Sequence, residues 1–296
     1  MSGPVLRGVF TALVTPFTPA GEIDRDAFRA LVERQVAAGV HGLVPCGTTG
    51  ETPALTAEEW EWIVRTTVEI AAGRLPVVPG TGSNNTRRTI ERTRRAKELG
   101  ADAALVVTPY YNKPNPAGLA AHFRAVLGEG GLPVVFYNVP GRTGRNALPR
   151  EILDLAAHPG LAAVKEASGN LGQAMTLVRE RRPGLAVLSG EDELTCAMVL
   201  MGADGVISVL SNVDPAGTVR MVEAALAGRV EEAREEHYRL LPLTRALFAE
   251  TNPVPAKAAL ALLGLAGDTV RSPLGPASES TRERLRTALR GAGLLR

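Results

Sequence analysis

"LAAVKEASGN", residues 161–170, opens as an apolar run, sets Lys165 where the next apolar residue belongs, and breaks at Ser168-Gly169-Asn170. A short apolar run closed by turn residues reads as a strand buried on both faces, the kind that parallel sheets use. The pattern recurs along the chain. Similar runs occupy 8–17 (GVFTALVTPF), 42–50 (GLVPCGTTG), 76–82 (PVVPGTG), 103–111 (AALVVTPYY), 133–144 (PVVFYNVPGRTG), 185–192 (LAVLSGED) and 205–212 (GVISVLSN). Between them lie segments of helical period. In Asp24 to Ala38 the residues Phe28, Leu31, Val32 and Val36 share a face and Gly39 ends the segment. Thr56 with Glu59 forms a capping-box pattern, Asn85 can cap a further helix, and Pro149 fits a first helical turn.

Eight such runs, each followed by a helix, predict a closed parallel (β/α)8 TIM barrel, with an open doubly wound sheet as the competing arrangement. Polar and glycine-rich residues gather at the C-terminal end of nearly every run, from Thr15 through Gly47-Thr48-Thr49-Gly50 to Lys165-Glu166, Ser189-Gly190-Glu191 and Ser208. That is the face on which such barrels build active sites, and it favours the closed form. Past residue 228 only helical patterns remain. The chain therefore divides into a barrel, 1–227, and a small helical appendage, 228–296.

Composition narrows the partners. A formal net charge of +2, from 33 basic and 31 acidic residues spread without blocks, points away from nucleic acid and membrane surfaces and toward a small molecule. No stretch approaches the roughly 18 to 20 apolar residues of a membrane span, and the first ten residues lack signal-peptide zones, so a cytoplasmic location is expected. Cys46 and Cys196 show neither CxxC nor metal-ligand spacing and read as small buried hydrophobes.

Only four of the basic residues are lysines: Lys97, Lys113, Lys165 and Lys257. An ordinary lysine, with a pKa near 10.4, is almost entirely protonated at neutral pH. Burial in an apolar barrel lowers that pKa toward the range in which the amine attacks a carbonyl. The competing reading is a lysine paired with Glu166, but neighbouring strand residues point to opposite faces. Lys257, at the start of an appendage helix, reads as structural. Tyr137 is either barrel packing or a proton carrier beside Lys165. Arg142, on a Pro/Gly-rich loop, is either a solvated charge or a fork for a carboxylate. The hydroxyls and amides of GTTGE suit a carboxylate as well, although alone they are weak evidence.

Taken together and in order, GTTGE, TPYYNKP, YNVPGRTG and KEASGN closely resemble the dihydrodipicolinate synthase branch of the pyruvate-dependent class I aldolases, and the likeness extends over GVISV and NPVPAK to essentially the whole chain. The resemblance implies a lyase of diaminopimelate and lysine biosynthesis. Lys165 would form a Schiff base with pyruvate, whose enamine would attack aspartate 4-semialdehyde. Tyr137 would be the central acid/base, relayed through Thr48 to Tyr111. Thr49 would hold the pyruvate carboxylate, Arg142 that of the semialdehyde, and the backbone of Gly190 and Ile207 would line the pocket, with no metal or organic cofactor. The resemblance also places Tyr111 in a neighbouring subunit's site, which implies a homo-oligomer, most simply a tetramer built as a pair of dimers. Siblings such as N-acetylneuraminate lyase, 2-keto-3-deoxy sugar acid aldolases or 4-hydroxy-2-oxoglutarate aldolase share the barrel, lysine and tyrosine. Arg142 and Tyr111 favour the synthase branch. A non-catalytic keto-acid-binding barrel would have no need to keep Lys165, Tyr137, Thr48 and Tyr111 together.

One departure bears on regulation. Members of the resembling family inhibited by L-lysine hold it with an Asn, a Glu four positions later, a tyrosine, and polar groups on the helix after GTTGE. Asn84 and Tyr110 match here, but Arg88 stands in place of the acid, and Ala57 and Trp60 replace the polar groups. Weak or absent lysine feedback is therefore expected.

Overall fold

The computed structural model describes residues 4–295. Its seven strands are β1 (Gly8–Ala12), β2 (Gly42–Val44), β3 (Ala104–Val107), β4 (Val134–Asn138), β5 (Leu161–Glu166), β6 (Ala186–Ser189) and β7 (Gly205–Ser208). All pair in parallel, in the order β2-β1-β7-β6-β5-β4-β3. Residues 76–80 close the ring between β2 and β3. On one side Val78 N donates to Leu43 O and Gly80 N to Pro45 O; on the other Leu105 N donates to Pro79 O. Toward β3 the segment offers Val77 N to the Asp102 carboxylate instead of a carbonyl, and Pro79 has no N–H to offer. Only two isolated bridges, Leu43 with Val77 and Gly80 with Leu105, therefore mark the eighth position. The expected TIM barrel is present, with one position kept irregular by proline.

Around the barrel run α1 (Arg25–Ala37), α2 (Ala57–Ala71), α3 (Thr86–Glu98), α4 (Pro116–Glu129), α5 (Pro140–Thr143), α6 (Pro149–Leu155), α7 (Leu171–Glu180), α8 (Thr195–Leu200) and α9 (Pro215–Leu226). The chain then adds α10 (Val230–Leu247), α11 (Val254–Leu262) and α12 (Glu279–Gly291). The starts follow the sequence signals. Asp24 accepts from Ala27 N, Thr56 and Glu59 form the reciprocal capping box, Asn85 accepts from Arg88 N, and Pro149 opens α6. No helix among the described residues is long and apolar enough to cross a membrane.

Strand alternation produces two separate apolar layers. On β4, Val134 and Phe136 face outward into the helix layer, where Phe136 stacks on Phe123 of α4 with ring centroids 4.1 Å apart. Val135 and Tyr137 face inward, joining Phe10, Val44, Leu105, Ala163, Leu188 and Ile207. This inner plug fills the barrel. Whatever chemistry the ring supports must therefore sit above it, at the C-terminal ends of the strands.

Candidate active site

Lys165 lies one residue from the end of β5 and pairs in register with Tyr137 of β4. Its side chain is 6% exposed, and its Nζ stands 4.2 Å from the centre of the Tyr137 ring. Burial lowers its pKa to about 8, against the opposing pull of Asp192 and Glu191. At pH 7 roughly one in ten amines so placed is neutral, against fewer than one in a thousand for an exposed lysine. Glu166 is not its partner. That carboxylate turns to the outer face, where it accepts from Asn138 Nδ2 at 3.1 Å, Ser168 N at 2.8 Å and Gln173 Nε2 at 3.2 Å. Gly190 provides the room: a Cβ there would lie 3.1 Å from Lys165 Cε and 2.6 Å from Ala167 Cβ.

The other expected residues gather unevenly. Thr48, Thr49, Tyr137, Arg142, Lys165 and Gly190 line one cavity. Burial pushes the Tyr137 phenol up to about 12, a shift that a hydrogen bond with Thr48 opposes, so the tyrosine enters the reaction as a neutral donor. Arg142 reaches over from the short α5 and donates to Asn252 O at 3.2 Å. One expectation requires correction. Ile207 is packed in the inner plug and does not line the cavity; Val209, one pleat further along, takes that place. Tyr111, expected in a neighbouring subunit's site, does not line its own chain's cavity and is 88% exposed, with a left-handed φ of 68°.

Two contributors escaped the sequence reading. Asp192 is buried and interacts electrostatically with Lys165; its Oδ2 accepts from Val209 N at 2.8 Å and Leu210 N at 3.1 Å, and its pKa is raised by burial. It supplies negative charge near the amine, and only its place beside Gly190-Glu191 hinted at it. Asn252, between α10 and α11, donates to Thr49 Oγ1 at 3.0 Å and lines the same cavity, with its Oδ1 buried and unpartnered. The residue before the Pro253 of NPVPAK was available in the sequence, but nothing local tied it to Thr49, 203 positions away.

Trp60 also needs correction. It does not line the cleft beside the pocket: the indole is buried, donates to Gly80 O at 3.1 Å, and is covered by Arg92. Asn84, Arg88 and Tyr110 do line that cleft. Lys257, read as structural, is buried in an ion pair with Glu51, and both cysteines are buried free thiols.

The chain matches the Dihydrodipicolinate synthetase family over residues 5–292. It is 52% identical, over 96% of its own length and 94% of the relative's, to a 4-hydroxy-tetrahydrodipicolinate synthase of Thermomicrobium roseum. It is similar to the crystal structure of dihydrodipicolinate synthase from Thermotoga maritima, with a TM-score of 0.96, 44% identity and coverage of 98% of this chain and 99% of that one. It is also similar to the chloride-inhibited dihydrodipicolinate synthase of Acinetobacter baumannii complexed with pyruvate, with a TM-score of 0.97 at 39% identity and coverage of 98% and 100%.

Proposed function

The chain belongs to the dihydrodipicolinate synthetase family, and on that premise we propose that it condenses pyruvate with L-aspartate 4-semialdehyde and cyclises the adduct to 4-hydroxy-tetrahydrodipicolinate. The observation that carries this reading is the buried Lys165 amine, with its lowered pKa, facing Tyr137 at the floor of the cavity. The amine adds to the ketone of pyruvate, and loss of water leaves an iminium that withdraws electrons from the methyl group. Removal of a methyl proton gives the enamine, whose carbon bonds to the aldehyde carbon of the semialdehyde. The new alkoxide takes up a proton. The substrate's own amino group then attacks the iminium carbon, closes the ring and displaces Lys165. One pyruvate and one semialdehyde enter; one cyclic product and one water leave.

The residues divide the work. Tyr137, neutral and hydrogen-bonded with Thr48, delivers and retrieves the protons at the carbinolamine and alkoxide stages. Thr49 and the neighbouring loop amides receive the pyruvate carboxylate, with the hydroxyl oriented by Asn252. Arg142 receives the carboxylate of the semialdehyde. Gly190 keeps the space over the lysine stem open, and Ile207 supports the floor from the inner plug. Tyr111, exposed on its own chain, extends the Thr48–Tyr137 relay in a neighbouring subunit. The reading thus carries a homotetramer arranged as a pair of dimers and a cytoplasmic location. Residues 1–227 supply the barrel, and the appendage 228–296 adds Asn252 to the site.

The test is pyruvate consumption with aspartate semialdehyde set against sugar-derived aldehydes, together with borohydride trapping. The expected result is a preference for the semialdehyde and a three-carbon adduct on Lys165. A preference for a sugar aldehyde would move the chain to a sibling activity, and an untrapped Lys165 would remove the Schiff base.

A further inference from the structure

Beside the catalytic pocket opens a second cavity of about 400 Å³, which shares Thr48, Tyr137 and Arg142 with it and runs outward past Asn84, Tyr110 and the α3 residues Arg88 and Arg92. Its lining holds three guanidiniums and no carboxylate. Of the other arginines of α3, Arg94 pairs with Glu129 and Arg95 with Glu61 and Glu98, while the exposed Arg87 lies outside the cavity lining. Arg88 and Arg92 have no ion-pair partner among the described residues, and their mutual repulsion adds to burial in lowering the pKa of Arg92.

Arg92 is half-buried, and Arg88 stands exposed at the mouth of the cavity. Four positions apart, the two residues share one side of α3. Arg92 is braced over the Trp60 ring, 5.8 Å from its centroid, and Trp60 is itself pinned to Gly80 O. Both arginines also lie in the first half of the helix, where the amide end already carries partial positive charge. Like charges have thus been concentrated in a half-enclosed space with nothing on the chain to offset them. An oxyanion supplies what is missing, since a planar guanidinium binds carboxylate or phosphate through paired N–H donors.

We propose that this cavity binds a small dianion, a dicarboxylate or a phosphate, held between Arg88 and Arg92 with Asn84 and Tyr110 beside them, as a site separate from the Schiff-base lysine.

The experiment is a calorimetric titration of the full chain with succinate and, separately, with inorganic phosphate, at ionic strength held constant with sodium chloride. It is run before and after Lys165 has been blocked by borohydride reduction of its pyruvate imine, and each titration is paired with the ligand-dependent rise in Tm. The expected result is saturable binding that survives the block and weakens at least tenfold in Arg88→Ala. Arg88 is exposed on its helix and alanine is the strongest helix former, so the variant keeps the fold. The better-bound probe identifies the chemistry as carboxylate or phosphate. Absence of both saturable heat and Tm shift, equal binding by Arg88→Ala, or loss of binding on blocking would each overturn the proposal. The adduct mass is read first, so a failure of the Schiff-base reading is seen by itself, and the unblocked titration of Arg88→Ala still tests the cavity.

Discussion

Lys257 Nζ lies 2.5 Å from Glu51 Oε1, with both side chains almost fully buried, so that α11 is fastened to the loop that carries Thr48 and Thr49. The second oxygen of Glu51 accepts from Arg271 N at 2.9 Å, and both cations approach the Phe17 ring, Lys257 Nζ at 4.1 Å and the Arg271 guanidinium carbon at 4.3 Å from its centre. Glu51 occupies the left-handed region at φ 53°, which places the carboxylate under the loop.

Breaking this pair on one side strands a buried carboxylate. Lys257→Met is expected to cost about 3 to 5 kcal/mol and to lower Tm by roughly 10 °C. The double variant Lys257→Met, Glu51→Gln, which removes both charges, should recover most of that loss. Thermal denaturation of the two proteins decides it; equal Tm for Lys257→Met and the unaltered chain would refute the account.

The Lys165 amine governs two pH dependences of opposite use. Only its neutral form attacks pyruvate, so the rate of adduct formation should rise about tenfold per pH unit below a pKa of about 8 and level off above it. For stability, the folded pKa lies below the 10.5 of an unburied lysine, so burial of the ammonium costs on the order of 3 kcal/mol wherever both states are protonated. The cost is complete below pH 8 and vanishes as pH rises past 10.5. Lys165→Met should therefore be inactive yet more stable at pH 7, with the gain disappearing at high pH in denaturant titrations. Stability unaffected by the substitution at pH 7 would count against this burial cost.

Tyr111 gives an assembly test. If it serves a neighbour, mixed dimers of two inactive proteins, Tyr111→Phe and Lys165→Ala, contain one site with both residues intact. Partial activity should return when subunits exchange, up to about a quarter of the native level for random mixing in which half the dimers are mixed and each has one complete site of two. No recovery in demonstrated mixed dimers would mean that Tyr111 acts within its own chain.

Lysine feedback should be absent. An effector ammonium entering the cleft meets Arg88 and Arg92, and like charges at about 4 Å repel by roughly 1 to 4 kcal/mol at surface-like dielectric. Millimolar L-lysine is expected to leave the steady-state rate unchanged. Sensitivity should be sought in Arg88→Glu, Arg92→Ala rather than by replacing Trp60 with histidine, because Trp60 is walled off behind Arg92 and its loss would release the bond to Gly80. Strong inhibition of the unaltered enzyme would refute this charge argument.

The parts of the site readable in sequence were those made by local rules. Strand alternation separates Lys165 from Glu166, and turn chemistry marks the loops after the strands. What stayed hidden depends on where distant segments converge. Asn252 approaches Thr49 only after the appendage folds back over the barrel, and Asp192 is brought near Lys165 only by the turn that follows β6. For Trp60 the sequence identifies the helix but not the surroundings, since periodicity tells which residues share a face and not which of them a neighbouring arginine will cover. The eighth strand was readable as a run, yet its two prolines reduce it to scattered bridges.

That segment gives the ring a compliant seam. The seven strands are joined by continuous ladders, with one register shift at Val134–Val135 between β4 and β5, whereas at Pro79 one rung toward β3 is missing and at Val77 a side chain replaces a carbonyl. Thermal openings of the closed wall will concentrate there before they reach β4 or β5, so the backbone amide of Val77, held by a carboxylate side chain, should exchange with solvent ahead of those at the centre of the opposite wall. The seam also adjoins Gly80 and Cys46 on the outer cavity's wall. A barrel usually regarded as rigid scaffolding thus has a hinge line beside its own entrance.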